Sequence, residues 1–210
     1  MRVSVIGAGS WGTAVANLVG AKQPVSLWAR RSELSAAINE KRENPDYLPG
    51  YRLAPNITAH SDLATAIADA DALVMGVPSH GYRSVLESLR AEIGSDIPIL
   101  SLAKGVERES LMRMTEVTAD VLPDHNPNRI GVLTGPNLAK EIVAGQPAAT
   151  VIAMKDTAAA VELQQVFMSS RFRVYTNDDV IGSESAGALK NVMAIAAGMA
   201  HGLGFGDNTM

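Results

Sequence analysis

A short apolar run that leads into a glycine loop constrains the fold of this chain more than any other feature. Val3–Ile6 runs directly into GAGSWG, in which Gly7, Gly9 and Gly12 have the G-x-G-x-x-G spacing. In a strand–loop–helix unit these glycines allow a tight turn, close approach of a pyrophosphate and close helix–strand packing. The unpaired N–H groups that open the following helix attract an anion. The motif predicts a dinucleotide site, and a purely structural turn is the alternative.

Further apolar runs of strand length alternate with helical patterns along the chain. The first several runs are almost continuously apolar, which is typical of strands buried on both faces of a parallel sheet. The predicted strands are Arg2–Ile6, Pro24–Ala29, Ala72–Val77, Ile97–Ala103, Ile130–Thr134, Ala149–Met154 and Phe172–Thr176. The predicted helices are Trp11–Ala21, Ser32–Arg42, Asp62–Ala68, Gly81–Ile93, Glu109–Leu122, Leu138–Ala144 and Thr157–Ser169.

This alternation predicts right-handed crossovers and a doubly wound, Rossmann-type α/β fold with a mostly parallel sheet. Asp62 and Asp156 each precede a helical pattern and are predicted N-caps. The segment Glu43–Asn56 has three prolines and one glycine, so we expect a surface loop there.

After Gly182 the alternation of strand and helix patterns gives way to one long apolar helical pattern. A helix expected at 184–203 is apolar on almost every side, which is typical of a helix buried inside a larger body. We therefore expect residues 1–182 to form a dinucleotide-binding domain and 183–210 to be the first helix of an otherwise missing all-α substrate domain. The exposed face of that helix predicts self-association, a homodimer being one outcome.

Composition excludes several classes of function. The chain of 210 residues is 47% apolar and 19% charged, enough apolar residues for a sizeable core, and it has no cysteine for a disulfide, thiol nucleophile or thiolate zinc site. Its 18 basic and 22 acidic residues give a net charge of −4, which argues against a nucleic-acid partner. The four histidines lack metal-ligand spacing, so no metal is expected. Neither a signal peptide nor a membrane span is recognisable, so we expect a cytoplasmic protein.

Two arginines occupy the end of the second predicted strand. An acidic residue at this point usually accepts the ribose 2′-hydroxyl of NAD. Arg30 and Arg31 stand there instead, and a guanidinium suits a 2′-phosphate or stacks on adenine. The pattern favours NADP, or acceptance of both cofactors, and Glu33 keeps NAD open. A solvated surface pair is the alternative interpretation.

Polar or turn residues follow several other strands, at the sheet edge where ligands bind in folds of this kind. These segments are Val77–His80, Ser101–Glu107 and Thr134–Glu141. Ser79 and His80 are interpreted as a helix cap and a loop residue.

Two of these segments carry candidate ligand-binding groups. Lys104, beside Gly105, is either a ligand-binding group or a solvated rim lysine. The turn at Gly135 and Pro136 precedes a helix start and predicts an anion or carbonyl site. Asn137 either caps that helix or contacts substrate.

Lys190 lies among apolar residues of the last helix. No carboxylate lies one helical turn from it, so its ammonium must reach solvent, meet an anionic ligand or lose part of its proton affinity. Desolvation lowers the pKa of a lysine and makes it a useful acid or base near neutrality. The sequence pattern leaves these alternatives open.

Seven segments in order resemble the bacterial-type NAD(P)-dependent glycerol-3-phosphate dehydrogenases. The resemblance covers essentially the whole chain. The matching segments are GAGSWGTA (Gly7–Ala14), VPSH (Val77–His80), AKGVE (Ala103–Glu107), GPNLAKE (Gly135–Glu141), RVYTNDDVIG (Arg173–Gly182), GALKNVMAI (Gly187–Ile195) and GMAHGLGFGDN (Gly198–Asn208).

The resemblance implies interconversion of dihydroxyacetone phosphate and sn-glycerol 3-phosphate with NAD(P)H, feeding phospholipid synthesis. It implies that Lys104 touches cofactor and substrate and that Gly135 and position 137 contact substrate. It also implies that Lys190 is catalytic and protonates the carbonyl oxygen, and we expect its ammonium to be enclosed in an apolar setting away from water. Position 137 is often Ser or Thr in the family, whereas this chain has Asn137. The implied cofactor contacts are Ser10, Trp11, Arg30, Arg31 and Ala139.

Family members continue for roughly another hundred residues as a helical domain. We therefore expect this chain to bind nucleotide but to have little or no dehydrogenase activity by itself. The alternatives are a related reductase of a hydroxy acid or sugar nucleotide, a non-catalytic nucleotide-binding module, and a plain α/β domain with accidental glycines.

Overall fold

The computed structural model describes residues 1–206 as a single eight-stranded sheet with helices on both faces. The strands are β1 Val3–Ile6, β2 Val25–Trp28, β3 Ile57–His60, β4 Ala72–Met75, β5 Ile99–Ser101, β6 Ile130–Thr134, β7 Ala148–Met154 and β8 Phe172–Asn177. The helices are α1 Ser10–Gly20, α2 Ser32–Lys41, α3 Leu63–Ile67, α4 Ser79–Glu87, α5 Met114–Val121, α6 Ala139–Val143, α7 Thr157–Phe167 and α8 Val180–Gly202, with a 3-10 turn at Pro127–Arg129. Asp207 and Asn208 of the last matching segment lie outside the described residues.

The strand order is β3-β2-β1-β4-β5-β6-β7-β8. The first six strands are parallel, β7 is antiparallel to β6, and β8 is parallel to β7. The predicted doubly wound, mostly parallel Rossmann-type fold is therefore confirmed. The direction of winding reverses between β1 and β4, and in such a sheet the ligand crevice opens at that point.

Successive side chains of the central strands enter two separate cores. In β4, Ala72 and Val74 pack on the layer that contains α1, whereas Leu73 and Met75 pack on the layer that contains α4. Both layers cover the sheet, so neither set of side chains meets water. This explains why the run is apolar without alternation.

The sequence analysis missed β3. Ile57–His60 is short, and Thr58 points to solvent, so its sequence lacks the continuous apolar pattern of the inner strands. The side chain of Asn39 on α2 forms two hydrogen bonds with the backbone of Ala59, accepting from its N–H and donating to its carbonyl oxygen, each at 2.8 Å. A side chain from outside the sheet therefore stabilises this edge, which no local pattern predicts.

The observed ends of two helices correct the predictions. α4 starts at Ser79 with Pro78 as its N-cap, so Ser79 and His80 belong to the first helical turn and are not a cap and a loop residue. α5 starts at Met114 because the preceding residues fold back in a turn, with Leu111 at positive φ and a bridge between Val106 and Arg113.

The two predicted aspartate caps are confirmed. A side-chain oxygen of Asp62 accepts a hydrogen bond from the N–H of Thr65 at 2.8 Å, and that of Asp156 accepts from Ala159 at 3.0 Å. Each carboxylate thereby satisfies one of the backbone donors that a helix leaves free at its start.

Helix α8 is attached to the sheet domain through its first two turns. The Glu184 carboxylate, which is 3% exposed, accepts from the Arg113 guanidinium at 3.0 Å and from the N–H and hydroxyl of Thr115 at 3.1 and 2.5 Å. This buried ion pair fixes the direction in which α8 leaves the sheet.

Beyond its second turn α8 is exposed, in agreement with the exposed face expected for this helix. Val180 and Glu184 are its buried residues and Gly187 packs on the end of β6, and no described element packs over the apolar surface beyond Gly187. Each of its large apolar residues beyond the second turn is more than half exposed: Leu189, Val192, Met193, Ile195 and Met199. Within residues 1–206, no helix has both the length and the apolar character needed to cross a membrane. The division into domains at 182 stays a prediction.

We expect Glu184→Gln to destabilise the protein by about 2 kcal/mol, because the largely buried Arg113 keeps only its half-exposed partner Glu116 and the buried bonds from Thr115 lose their charged acceptor. The free energy of unfolding from urea denaturation checks this. Asp120→Asn is the matched control, since Asp120 forms an ion pair with Arg83 but is 51% exposed, and it should cost less than about 1 kcal/mol. Equal losses in the two variants would contradict a special role for the α8 attachment.

Candidate functional site

A cleft of about 360 Å³ opens at the carboxyl ends of β1, β2 and β4, where the winding of the sheet reverses. Its walls come from the glycine loop, the end of β2, the loop after β4 and the first turns of α4. The lining residues are Gly7, Ala8, Gly9, Trp28, Ala29, Arg30, Arg31, Leu34, Tyr47, Gly76, Val77, Pro78, His80, Gly81, Ser84 and Val85.

The three glycines of the motif have different environments. Gly7 has φ +119° and a Cβ there would lie 2.8 Å from the carbonyl carbon of Gly76, while a Cβ on Gly12 would collide with the carbonyl oxygen of Gly7. Gly9 lines the cleft, and a Cβ on it would meet no protein atom within 4 Å. Two glycines therefore permit backbone packing, and the third leaves open space at the position where a pyrophosphate would approach.

Helix α1 points its first turn at this space. Gly9 is its N-cap, no side chain caps it, and the helix continues for 11 residues, so free N–H groups and the positive end of the helix dipole meet at the cleft. Ser10 and Trp11 open the helix, but their side chains do not line the cleft. The Ser10 hydroxyl donates to the Tyr47 carbonyl oxygen at 2.9 Å, and Trp11 packs partly against the core. Their cofactor contacts stay predictions.

The segment expected to be a surface loop is fixed to the glycine loop by Asn44. This side chain is fully buried, and its amide donates to the Ala8 carbonyl oxygen at 2.9 Å and to the Thr13 hydroxyl at 2.8 Å. Its own oxygen accepts from the N–H of Tyr47 at 3.1 Å, which positions Tyr47 in the cleft wall. The sequence analysis missed Asn44 and Tyr47 because neither belongs to a recognisable motif.

Arg30 and Arg31 both line the cleft, as their place after β2 predicts, but they differ in environment. Arg31 forms an ion pair with Asp46, while Arg30 is exposed and has no hydrogen bond or ion pair with any described residue. Glu33 is exposed in the first turn of α2 and does not line the cleft.

Lys104 lies at the carboxyl end of β5. Its ammonium donates to the Gly135 carbonyl oxygen at 3.0 Å, so the loops after β5 and β6 meet there. Although the side chain still reaches solvent, the protein packed around it lowers the pKa of Lys104, and the nearby positive charge of Lys190 lowers this pKa further. The charge of Lys190 therefore acts on Lys104 at this edge of the sheet.

An ion-pair network fixes the loop that carries Lys104. The Arg83 guanidinium on α4 donates to the Glu107 carboxylate at 2.9 and 3.0 Å and to Asp120 at 2.5 Å. The bond from Arg83, with a second from the Ser110 hydroxyl, lowers the pKa of Glu107 to about 2. Gly105 has φ +120°, a conformation that favours glycine, so the turn beside Lys104 is fixed on both sides.

The turn after β6 is more crowded than its sequence indicates. A Cβ on Gly135 would lie 2.9 Å from the Ala149 carbonyl oxygen. The amide of Asn137 donates to the Thr150 hydroxyl at 3.0 Å, so Asn137 does not cap α6, whose N-cap is Leu138. The side-chain oxygen of Asn137 is buried without a hydrogen-bond partner among the described residues, and Ala139 begins the short helix α6.

The structure corrects one expectation about Lys190. Its side chain is exposed, not enclosed in apolar surroundings, and its ammonium donates to the Asn191 side chain at 2.8 Å. The reason is that the apolar neighbours on α8 are themselves exposed. Gly187, on the same side of α8 one turn earlier, packs closely on the end of β6, where a Cβ would lie 2.6 Å from the Thr134 hydroxyl oxygen. This contact brings Lys190 to the edge occupied by Lys104.

One further feature of the cleft was not predicted. Gly76, directly after β4, packs against the glycine loop, and its place between a strand and Pro78 was the available signal. Among the described residues, no three His, Asp or Glu side chains come together as metal ligands.

The fold, the open space at the glycine loop and the uncapped N-terminus of α1 together define a dinucleotide-binding α/β domain of the kind found in oxidoreductases. Comparison with known families gives the same answer. The family model described as the NAD-dependent glycerol-3-phosphate dehydrogenase N-terminus matches residues 2–160, and the corresponding C-terminus model matches residues 179–210. The chain belongs to the NAD-dependent glycerol-3-phosphate dehydrogenase family.

Individual relatives support this assignment. A protein of Sphingopyxis alaskensis named glycerol-3-phosphate dehydrogenase [NAD(P)+] 2 is 53% identical over 100% of this chain and 62% of its own length. A Thermobifida fusca relative of the same kind is 51% identical over 99% of this chain and 62% of its own length. The chain thus spans just over three-fifths of these relatives.

Solved structures show the same fold. The glycerol-3-phosphate dehydrogenase of Coxiella burnetii has a TM-score of 0.87 and 33% identity over 99% of this chain and 63% of its own. That of Plasmodium falciparum has a TM-score of 0.89 and 31% identity over 100% of this chain and 60% of its own.

The environments of Gly9 and Gly12 predict opposite effects of alanine. Gly9→Ala should leave the melting temperature nearly unchanged and weaken NADPH binding by about tenfold or more, because the methyl group enters only the ligand's space. Gly12→Ala should lower the melting temperature, because its methyl group meets backbone that cannot move without displacing β1 or α1. Thermal unfolding and calorimetric titration check both variants. Unchanged NADPH affinity in Gly9→Ala would place the pyrophosphate elsewhere.

The coupling between the two lysines is tested by Lys190→Met. Loss of the positive charge should raise the pKa of Lys104, while the pKa of Lys22, which burial alone lowers, should stay unchanged. NMR titration of isotopically labelled lysine side chains measures both. An equal change in the pKa of Lys22, or no change in the pKa of Lys104, would contradict a direct effect of the Lys190 charge on Lys104.

Proposed function

We propose that this chain supplies the dinucleotide site and the two active-site lysines of a dehydrogenase that interconverts dihydroxyacetone phosphate and sn-glycerol 3-phosphate. The observation that carries the proposal is the placement of both lysines at the end of β6: Lys104 bonds Gly135, and Gly187, one turn before Lys190, packs on Thr134. A phosphate-bearing substrate explains why two cations converge in a protein of net charge −4.

The residues present fit a dinucleotide. The space beside Gly9 and the free N–H groups of α1 suit the pyrophosphate, and Arg30 and Arg31 suit the adenosine ribose with or without a 2′-phosphate. The loops after β5 and β6, which Lys104 joins by its bond to Gly135, contain the residues that would hold the nicotinamide half.

A reduced dinucleotide held beside Gly9, Arg30 and Arg31 would supply the hydride that C2 of dihydroxyacetone phosphate receives, so that with one proton the C=O group becomes H–C–O–H. As negative charge develops on the carbonyl oxygen, the Lys190 ammonium donates the proton that this oxygen needs. Lys104 stabilises the same charge or the substrate phosphate by electrostatic attraction. In the reverse direction Lys190, in its neutral form, accepts the hydroxyl proton.

The lowered pKa of Lys104 favours a second assignment of the proton donor. A lysine whose pKa is lowered gives up its proton more readily near neutral pH. Lys104 is held in place by Gly135, whereas Lys190 is exposed and bonded only to Asn191. If the two lysines exchanged roles, the reaction would be the same. The lysine whose substitution changes the pH dependence of turnover would then be Lys104 instead of Lys190.

Asn137 fits a substrate hydroxyl. Its side-chain oxygen has no partner among the described residues, while its amide is committed to Thr150, which in turn donates to the Thr134 carbonyl oxygen at 2.8 Å. A hydroxyl that donates to this oxygen would satisfy it. We assign Asn137 and Gly135 to substrate binding and Ser10, Trp11 and Ala139 to the dinucleotide.

The same proposal includes four further statements, on the cofactor, the use of the product, the location and the oligomeric state. Both NADP and NAD are accepted, with NADPH favoured by Arg30 and Arg31. The product supplies glycerophospholipid synthesis, the reaction takes place in the cytoplasm, and the exposed apolar face of α8 associates with a second copy of the chain as a homodimer.

Calorimetric titration of NADPH and NADH, followed by dihydroxyacetone phosphate, tests the function. Lys190→Met should weaken binding of dihydroxyacetone phosphate to the NADPH-loaded chain by about tenfold or more, because a charge-assisted hydrogen bond is lost. Its NADPH affinity should stay within about twofold of the unaltered chain, since Lys190 lies outside the pyrophosphate and adenosine sites. Lys41→Met, at the far end of α2, is the control for the change in charge.

The other outcomes select the alternatives. Binding of nucleotide without any substrate indicates a nucleotide-binding module, and preference for simple 2-oxo acids indicates a related reductase. Failure to bind either nucleotide would leave only an α/β domain with accidental glycines.

A further inference from the structure

We propose that Asp46 sets the preference between NADP(H) and NAD(H) by pairing with Arg31, which lines the cleft at the end of β2 where the ribose 2′ group would bind. The inference deepens the proposed function and rests on it, because it requires that a dinucleotide binds in the cleft. It concerns a residue outside every motif of the sequence.

The starting observation is the unequal environment of two adjacent guanidinium groups. Arg31 is the N-cap residue of α2 and pairs with Asp46, and the two side chains are 52% and 41% exposed. Arg30 precedes it and bonds no described residue. One of the two cations at the end of β2 is therefore free for a ligand, and the other is already bonded to a carboxylate.

Asp46 is held beside the cleft by its neighbours on both sides. Asn44 is buried against the glycine loop through Ala8 and Thr13, and Tyr47 accepts a hydrogen bond from the Ser10 hydroxyl at 2.9 Å. Because the residues around Asp46 are fixed to the loop that would hold the pyrophosphate, its carboxylate cannot move far from the adenosine half of the ligand. The ion pair with Arg31 is thus part of the site.

The two cofactors respond differently to this arrangement. In this fold the ribose 2′ group lies at the end of the second strand, where Arg30 and Arg31 are found. A 2′-phosphate is bound by guanidinium groups, and the ion pair with Asp46 occupies Nη2 of Arg31 and offsets its charge, so NADP(H) gains less from Arg31 than it would from an unpaired arginine. A 2′-hydroxyl is uncharged, so the ion pair does not weaken its binding. Asp46 therefore reduces a preference for NADPH that two free arginines would otherwise give.

The size of the effect follows from the exposure of the pair. Exposed ion pairs contribute little by themselves, so Arg31 can exchange Asp46 for a phosphate without a large penalty. Asp46 then tunes the ratio of the two affinities and does not exclude either cofactor. This agrees with the NAD(P)+ in the names of the relatives.

The primary test is Asp46→Asn, which keeps the size of the side chain and removes its charge. The ratio of NADPH to NADH affinity, measured by calorimetric titration, should rise about three- to tenfold. The ratio of the affinities for adenosine 2′,5′-bisphosphate and adenosine 5′-monophosphate measures the contribution of the 2′-phosphate alone. This ratio should rise by the same factor. Asp69→Asn removes an exposed partner of Arg2 remote from the cleft and should leave the ratio unchanged.

A second variant distinguishes action through Arg31 from a general effect of charge. In an Arg31→Gln background, Asp46→Asn should change the NADPH to NADH ratio by less than about twofold, because no guanidinium is released. An equal rise in both backgrounds, or no rise with Arg31 present, would overturn the proposal. If the unaltered chain binds neither nucleotide, the proposed function itself fails, which is a different result from an unchanged ratio.

Discussion

The close backbone contact between the end of β1 and the end of β4 is the constraint on which the site depends. Gly7 at positive φ lies against Gly76, and Gly12 lies against Gly7, so three separate segments meet with no side chain between them. Any Cβ in this contact would separate β1 from β4 or lift α1 from the sheet. The same contact creates the crevice at the reversal of winding and directs the start of α1 into it. Packing of the fold and formation of the nucleotide cleft are therefore one requirement, satisfied by the same residues.

The second half of the site depends on side-chain bonds that cross between distant segments. Lys104 bonds the turn after β6, Arg83 and Glu107 hold the loop that carries Lys104, and Glu184 fixes the start of α8 on α5. None of these bonds forms within a local segment. They bring the two lysines to one edge of the sheet, although 86 residues of sequence separate positions 104 and 190.

The sequence predicted the parts of the molecule that are determined by local or periodic patterns. The inner strands, the glycine loop and the caps at Asp62 and Asp156 follow from burial on both faces, φ angles and helix ends, which leave a signature in neighbouring residues. Strand β3 and the buried Asn44 depend on partners far away in sequence, so no such signature exists for them. The enclosure expected for Lys190 was wrong for a related reason. An apolar helix predicts burial only if another element packs against it, and none of the described elements covers this part of α8.

The distribution of charge gives these separate observations a common meaning. The protein is acidic overall, yet the carboxyl edge of its sheet has Arg30 and Arg31 at one end and Lys104 and Lys190 at the other, with the positive end of α1 between them. A ligand set with a phosphate at each end and a pyrophosphate in the middle would match this order of positive groups. Asp46 is bonded to Arg31 within that row, and in the proposed assignment it offsets the charge of Arg31 where the two nicotinamide cofactors would differ. Cofactor choice can therefore change at Asp46 and Arg31 without any change at the lysines, because the two ends of the row have no hydrogen bond in common.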